Sequence, residues 1–136
     1  MSHPEPRSEQ FSFGGLRFDV SFRTRGATLR VEGHVGGEWM ELLRFDDFVD
    51  TPHYHVPATG ASIDFDRANG DPLEWYLTQI RDHLADWLIT AGFADIVPSV
   101  DTAAVTANIG ALRDAMHACV PAGFERVLGL GLRRVS

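Results

Sequence analysis

Apolar and polar residues alternate strictly from Leu16 onward. Leu16, Phe18, Val20 and Phe22 interleave with Arg17, Asp19, Ser21 and Arg23, the period of two that a strand shows when one face is buried. Thr24 to Gly26 supplies a turn, and Leu29, Val31, Gly33 and Val35 then alternate with Thr28, Arg30, Glu32 and His34. Gly36-Gly37 follows, and glycine suits both positions of a tight hairpin turn because it tolerates positive φ. The third run, Glu38 to Phe45, carries Trp39, Met40, Leu42, Leu43 and Phe45 on both faces. That predicts a strand covered on both sides. Turns this short make antiparallel pairing the economical connection, so this stretch reads as a β-meander.

Beyond residue 70 the period changes. Asp71 is an N-cap candidate, Pro72 suits the first helical position, and Glu74 stands where a capping box needs it. Leu73, Tyr76, Leu77, Ile80, Leu84, Trp87, Leu88 and Ala91 then recur every three or four residues, one apolar stripe that predicts Leu84 and Trp87 buried against the sheet. Gly92 is placed to end that helix, with Phe93 making the customary contact behind it. A second helix is predicted from Asp101 to Cys119, stopped by Pro121, and Leu128, Leu130 and Leu132 suggest a final strand. Strands first and helices second is the α+β signature. The expected architecture is an antiparallel β-meander of three to five strands with two α-helices packed on one face. It occupies residues 11–136 as a single domain, behind a disordered tail from Met1 to Gln10 that has no apolar pattern to order it.

Composition narrows the chemistry. The 136 residues suffice for one domain, and 44% apolar with 23% charged residues is ordinary globular composition. All twelve basic residues are arginine. A Schiff-base lysine, a phosphate-loop lysine and a Ser–Lys dyad are therefore excluded together. A formal charge of −7 argues against nucleic acid and anionic membranes as partners, which leaves a protein partner or a homodimer. The single Cys119 allows no intramolecular disulfide and no multi-thiolate zinc site, so a reducing, cytoplasmic location is expected.

Candidate chemistry concentrates between the meander and the long helix. Arg44 to Pro57 holds Asp46, Asp47 and Asp50 together with His53 and His55. Two imidazoles two residues apart on an extended segment point the same way, about 6.5–7 Å apart along the chain, and neutral imidazoles at that spacing can meet one divalent ion. A carboxylate from Asp46, Asp47 or Asp50, or from Asp64 or Asp66, would complete a two-histidine, one-carboxylate set for zinc or iron. The metal-ligand assignment is His53, His55, Asp47 and Asp50. Without a metal, His53 and His55 could act as acid and base beside Arg44 and Asp46, with Arg17, Arg23, Arg25 and Arg30 as a basic edge for RNA. The plain alternative is a surface segment stiffened by Pro52 and Pro57, with Asp46-Asp47 ending a strand.

The step Arg44-Phe45-Asp46, followed by Pro52-His53-Tyr54-His55-Val56 and a helix, resembles a family of small bacterial toxins from toxin–antitoxin pairs. Those proteins carry an Arg-aromatic-Asp step and a histidine-rich turn after a β-meander. The likeness covers Gly15 to Leu88 in order of elements and Arg44 to Val56 in residues, with Asp47 where that family tends to have asparagine. It implies an RNA-cleaving or other hydrolytic activity on the same histidines. The chain is also similar to small uncharacterised bacterial proteins built around an Asp-Asp-Phe and His-Tyr-His step, a likeness that implies no function. The residues themselves favour a binding domain that holds a divalent metal or a partner at the His53–His55 edge.

Overall fold

The computed structural model describes residues 8–56 and 60–135. Six strands lie side by side in chain order: β1 (Ser8–Phe13), β2 (Leu16–Arg23), β3 (Gly26–Val35), β4 (Glu38–Phe48), β5 (His53–Val56) and β6 (Ala61–Asp64). Each is antiparallel to the next, so the sheet is one continuous meander. It exceeds the expected three to five strands because β5 and β6 have four residues each, too few to show a period. The ladder also starts before Phe11, with Ser8 opposite Ser21 and Gln10 opposite Asp19. Residues 1–7 of the expected tail, like Pro57, lie outside the described residues.

Alternation sorts the two faces. Phe18, Val31 and Leu43 lie opposite one another across β2, β3 and β4, as do Val20, Leu29 and Phe45, and all are buried. Between them Arg17, Arg30, Arg44, Thr28 and Asp46 occupy the other face. The two-faced apolar pattern of β4 has a different cause from the expected double cover. A register shift at Val31/Glu32 leaves Leu42 as an extra residue on β4. This bulge changes the phase, so Leu42 and its neighbour Leu43 are both buried while Trp39 and Met40 stay exposed. Gly33 is what makes room, since a Cβ there would stand 2.7 Å from Leu42 Cδ1.

The helical half holds three α-helices instead of two: α1 (Pro72–Thr90), α2 (Thr102–Ala107) and α3 (Ile109–Ala118). Asp71 caps α1 by accepting from the amide of Leu73, with Pro72 in the first turn. Glu74 does not close a capping box. Its carboxylate takes a forked bond from Arg113 of α3 instead. At its far end α1 closes as a Schellman turn, with Phe93 N donating to Leu88 O at 2.8 Å and Gly92 N to Ile89 O at 3.0 Å. The helix bends at His83, where Thr106 of α2 donates to the carbonyl of Arg81. Leu84 is buried as expected, and Trp87 is partly buried, packing edge-on against Phe45 and Tyr54 at the rim of the core. Asn108 splits the expected second helix, because its side-chain amide donates to the carbonyl of Ala104 in competition with the backbone.

The C-terminal segment forms a separate hairpin, β7 (Phe124–Val127) and β8 (Gly131–Arg134). Of its three leucines only Leu132 is buried, and Leu128 in the turn is 99% exposed. Arg126 fastens the hairpin by donating to the carbonyl of Met116 at the end of α3 and to Asp47 of β4. The sheet's apolar face, the stripes of α1 and α3, Val105 of α2 and Leu132 form one buried cluster. The polar face of the meander carries Arg44, Asp46, His53 and His55.

Candidate metal centre

The β4–β5 register sets Arg44 opposite His55 and Asp46 opposite His53. All four lie on the polar face, because alternation that buries Phe45 turns its neighbours the other way. Asp46 is the centre of the group and is only 2% exposed. Its Oδ2 lies 3.0 Å from His53 Nε2 and 3.1 Å from His55 Nε2. Its Oδ1 accepts from the Thr28 hydroxyl at 2.8 Å, which fixes the carboxylate plane. From beneath the sheet, the Tyr76 hydroxyl of α1 donates to the Asp46 carbonyl at 3.1 Å. The carboxylate is thus held from β3 through its side chain and from α1 through its backbone.

Proton placement on the imidazoles follows from their other contacts. His53 Nδ1 lies 2.7 Å from the Thr51 carbonyl, which can only accept, so Nδ1 carries the hydrogen and a neutral His53 presents its lone pair at Nε2. Arg44 Nη2 lies 2.7 Å from His55 Nε2. Guanidinium only donates, so the Arg44 contact calls for a lone pair on His55 Nε2, whereas the contact of the same atom with Asp46 Oδ2 at 3.1 Å calls for a proton there, and the two compete. With both imidazoles neutral, two ring nitrogens and one carboxylate oxygen converge on a common point, beside which the Arg44 guanidinium is the cation already in contact. Asp46, His53 and His55 offer ligand atoms all within 4.8 Å of one another. Tetrahedral ligands at about 2.1 Å from zinc stand about 3.4 Å apart, close to the observed spacings. Arg44 brings a positive charge to Asp46, with Nε 3.3 Å from Oδ2.

Of the carboxylates considered from sequence, Asp46 joins the histidines. Asp47 falls on the opposite side of β4, 1% exposed and paired with Arg126. Burial there pushes its carboxyl above the ordinary carboxylate range, with Arg126 pulling the other way. Asp50 is exposed and reaches Arg134 at 3.5 Å. Asp64 stands exposed across from His53 on β6, and Asp66 caps a short turn at Ala68. Thr28 and Tyr76 escaped the sequence reading. Thr28 had a signal, being on the polar phase of β3, whereas Tyr76 reads as an ordinary stripe residue.

The chain matches a family model over residues 10–116. It belongs to the family described as Domain of unknown function (DUF7700). The DUF7700 match runs from β1 to Met116 in α3, so it contains Arg44, Asp46, His53 and His55 and stops before Arg126. It assigns no toxin activity. No curated protein and no solved structure matches the chain. Among the described residues, no helix is long and apolar enough to cross a membrane. A cleft of about 540 Å³ between α1 and α2 is lined by Arg81, Asp82, His83 and Asp86, with Arg81 and Asp82 paired to each other at 2.8 Å.

Proposed function

We propose that this DUF7700 protein is a metal-binding domain whose ion, zinc or ferrous iron, is held by Asp46, His53 and His55. The observation that carries the reading is the convergence of three potential ligand atoms, one each from His53, His55 and Asp46, within 4.8 Å of one another. Two of the three are oriented from behind: His53 by the Thr51 carbonyl and Asp46 by Thr28. Such outer contacts fix the tautomer and ring orientation of a ligand before the ion arrives. Three protein ligands leave a coordination position for water or a ligand, the arrangement of an ion that does chemistry or captures a small molecule.

Zinc titration of chelator-stripped protein, followed by calorimetry, tests this. Wild type should take up one ion, and His53→Ala/His55→Ala should take up none while keeping its circular dichroism spectrum. Equal uptake by the folded double variant would place the ion elsewhere, and no uptake by wild type would remove the reading. Metal analysis of protein purified without chelator then distinguishes zinc from iron.

A further inference from the structure

The polar face of the meander holds a second concentration of charge beside the imidazoles. Arg23, Arg25, Arg30 and Arg44 line one cleft of about 220 Å³ together with His53 and Asp46. Four guanidinium groups thus face a single carboxylate in a chain whose formal charge is −7. Asp46 is already contacted by Thr28 and both histidines. Arg30 reaches Glu41 at 3.1 Å. Arg25 donates to the neutral Thr51 hydroxyl and lies over the Phe48 ring, so its charge is positioned without being cancelled. Among the described residues, neither Arg23 nor Arg25 has a carboxylate partner. The buried Nε atoms of Arg30 and Arg44 also lack a hydrogen-bond acceptor, although each is within ion-pair distance of a carboxylate. Buried donors without acceptors are uncommon in folded proteins, and each calls for a cause.

We propose that this cleft binds the phosphoryl group of a small phosphomonoester, beside the ion held by Asp46, His53 and His55. Arginine forks match tetrahedral oxyanions with paired N–H donors. A monoester brings two negative charges to a cleft with a positive excess, and a divalent ion at the neighbouring site enlarges that excess. The volume is below the roughly 300–1,000 Å³ of pockets that enclose a drug-sized ligand, so the cleft suits the phosphoryl end and leaves the rest of the ester outside. The net negative charge of the whole chain repels an extended polyanion, which favours a small ester over RNA. The inference rests on the metal reading only for the ion's presence next to the phosphoryl group, since Arg23 and Arg25 contact none of the three proposed ligands.

Phenyl phosphate titrated into chelator-stripped wild type at low ionic strength, followed by calorimetry, should give saturable binding. Arg23→Gln/Arg25→Gln removes two exposed donors and should weaken that binding about tenfold or more, the worth of a charge-assisted hydrogen bond, with zinc uptake unchanged. No binding by wild type, or equal binding by the variant, overturns the phosphoryl assignment, while the zinc titration still decides the metal reading separately. Tighter binding of a single-stranded RNA oligonucleotide than of phenyl phosphate overturns the small-ester assignment.

Discussion

The phenolic hydroxyl of Tyr76 donates to the main-chain carbonyl of Asp46 at 3.1 Å, so a residue of the long helix's apolar stripe holds the central carboxylate of the site. Tyr76 is fully buried, and burial keeps its phenol protonated, a donor at any physiological pH. Removing that one oxygen takes this side-chain donor from the carbonyl while preserving the ring contacts with Phe45 and Phe65. Tyr76→Phe should therefore lower stability by about 1–2 kcal/mol, measured by urea unfolding. It should also loosen zinc binding without abolishing it. A variant as stable as wild type would mean that the hydroxyl does not hold β4.

Metal should stabilise the fold by mass action, because the ligand set exists only when β4 and β5 are paired. At a zinc concentration about 100-fold above Kd the gain is about 2.7 kcal/mol, readable as a rise in thermal midpoint. Asp46→Asn keeps the shape and the contact with Thr28 but loses the anion, and its midpoint should not respond to zinc. The wild-type shift should shrink at about pH 5.5, since bound imidazole must be deprotonated. A shift that persists in Asp46→Asn would show zinc acting elsewhere.

Arg44 competes for the same lone pair. Its Nη2 donates to His55 Nε2 at 2.7 Å and its charge stands beside Asp46, so a divalent ion must displace the first and repel the second. Arg44→Gln should bind zinc about tenfold more tightly or better, given the Coulomb energy of like charges about 4 Å apart. Weaker zinc binding by this variant would mean that Arg44 organises the ligands and does not oppose the ion.

Across the strand, Asp47 and Arg126 form a buried pair with its own pH dependence. Because burial raises the Asp47 carboxyl, the folded protein binds that proton more tightly than the unfolded chain. Asp47 therefore contributes most below the ordinary carboxylate value, and the contribution is lost as pH rises through its folded value. The stability of wild type relative to Asp47→Asn should fall over that rise. Arg126→Met leaves an ionised carboxylate buried alone and should cost about 3–5 kcal/mol near neutral pH, less in acid, where Asp47 is protonated. Urea midpoints of the three proteins across pH check both signs.

Local signals in the chain determined the strands β2 to β4, the N-cap at Asp71 and the glycine stop at Gly92, because each depends on neighbours a few residues away. The same locality explains the reading of His53 and His55 as a pair, since two positions apart on a strand always share a face. It also explains the arginine edge, whose members Arg23 and Arg30 fall on the polar phase of their strands. Tertiary structure decided the rest. Asp46 and Asp47 are adjacent and chemically identical in sequence, yet strand register sends one to the imidazoles and the other to Arg126, 79 residues away. Glu74 has the spacing of a capping box, but Arg113 offers it a full charge and a forked geometry that a backbone amide does not. Tyr76 looks like core from its period and is core, and only the packing of α1 under β4 gives its hydroxyl a carbonyl to hold. Periodicity specifies which face a side chain takes. Which partner waits on that face depends on contacts between residues far apart in the chain, and those form only when the sheet, the helices and the terminal hairpin close on one core.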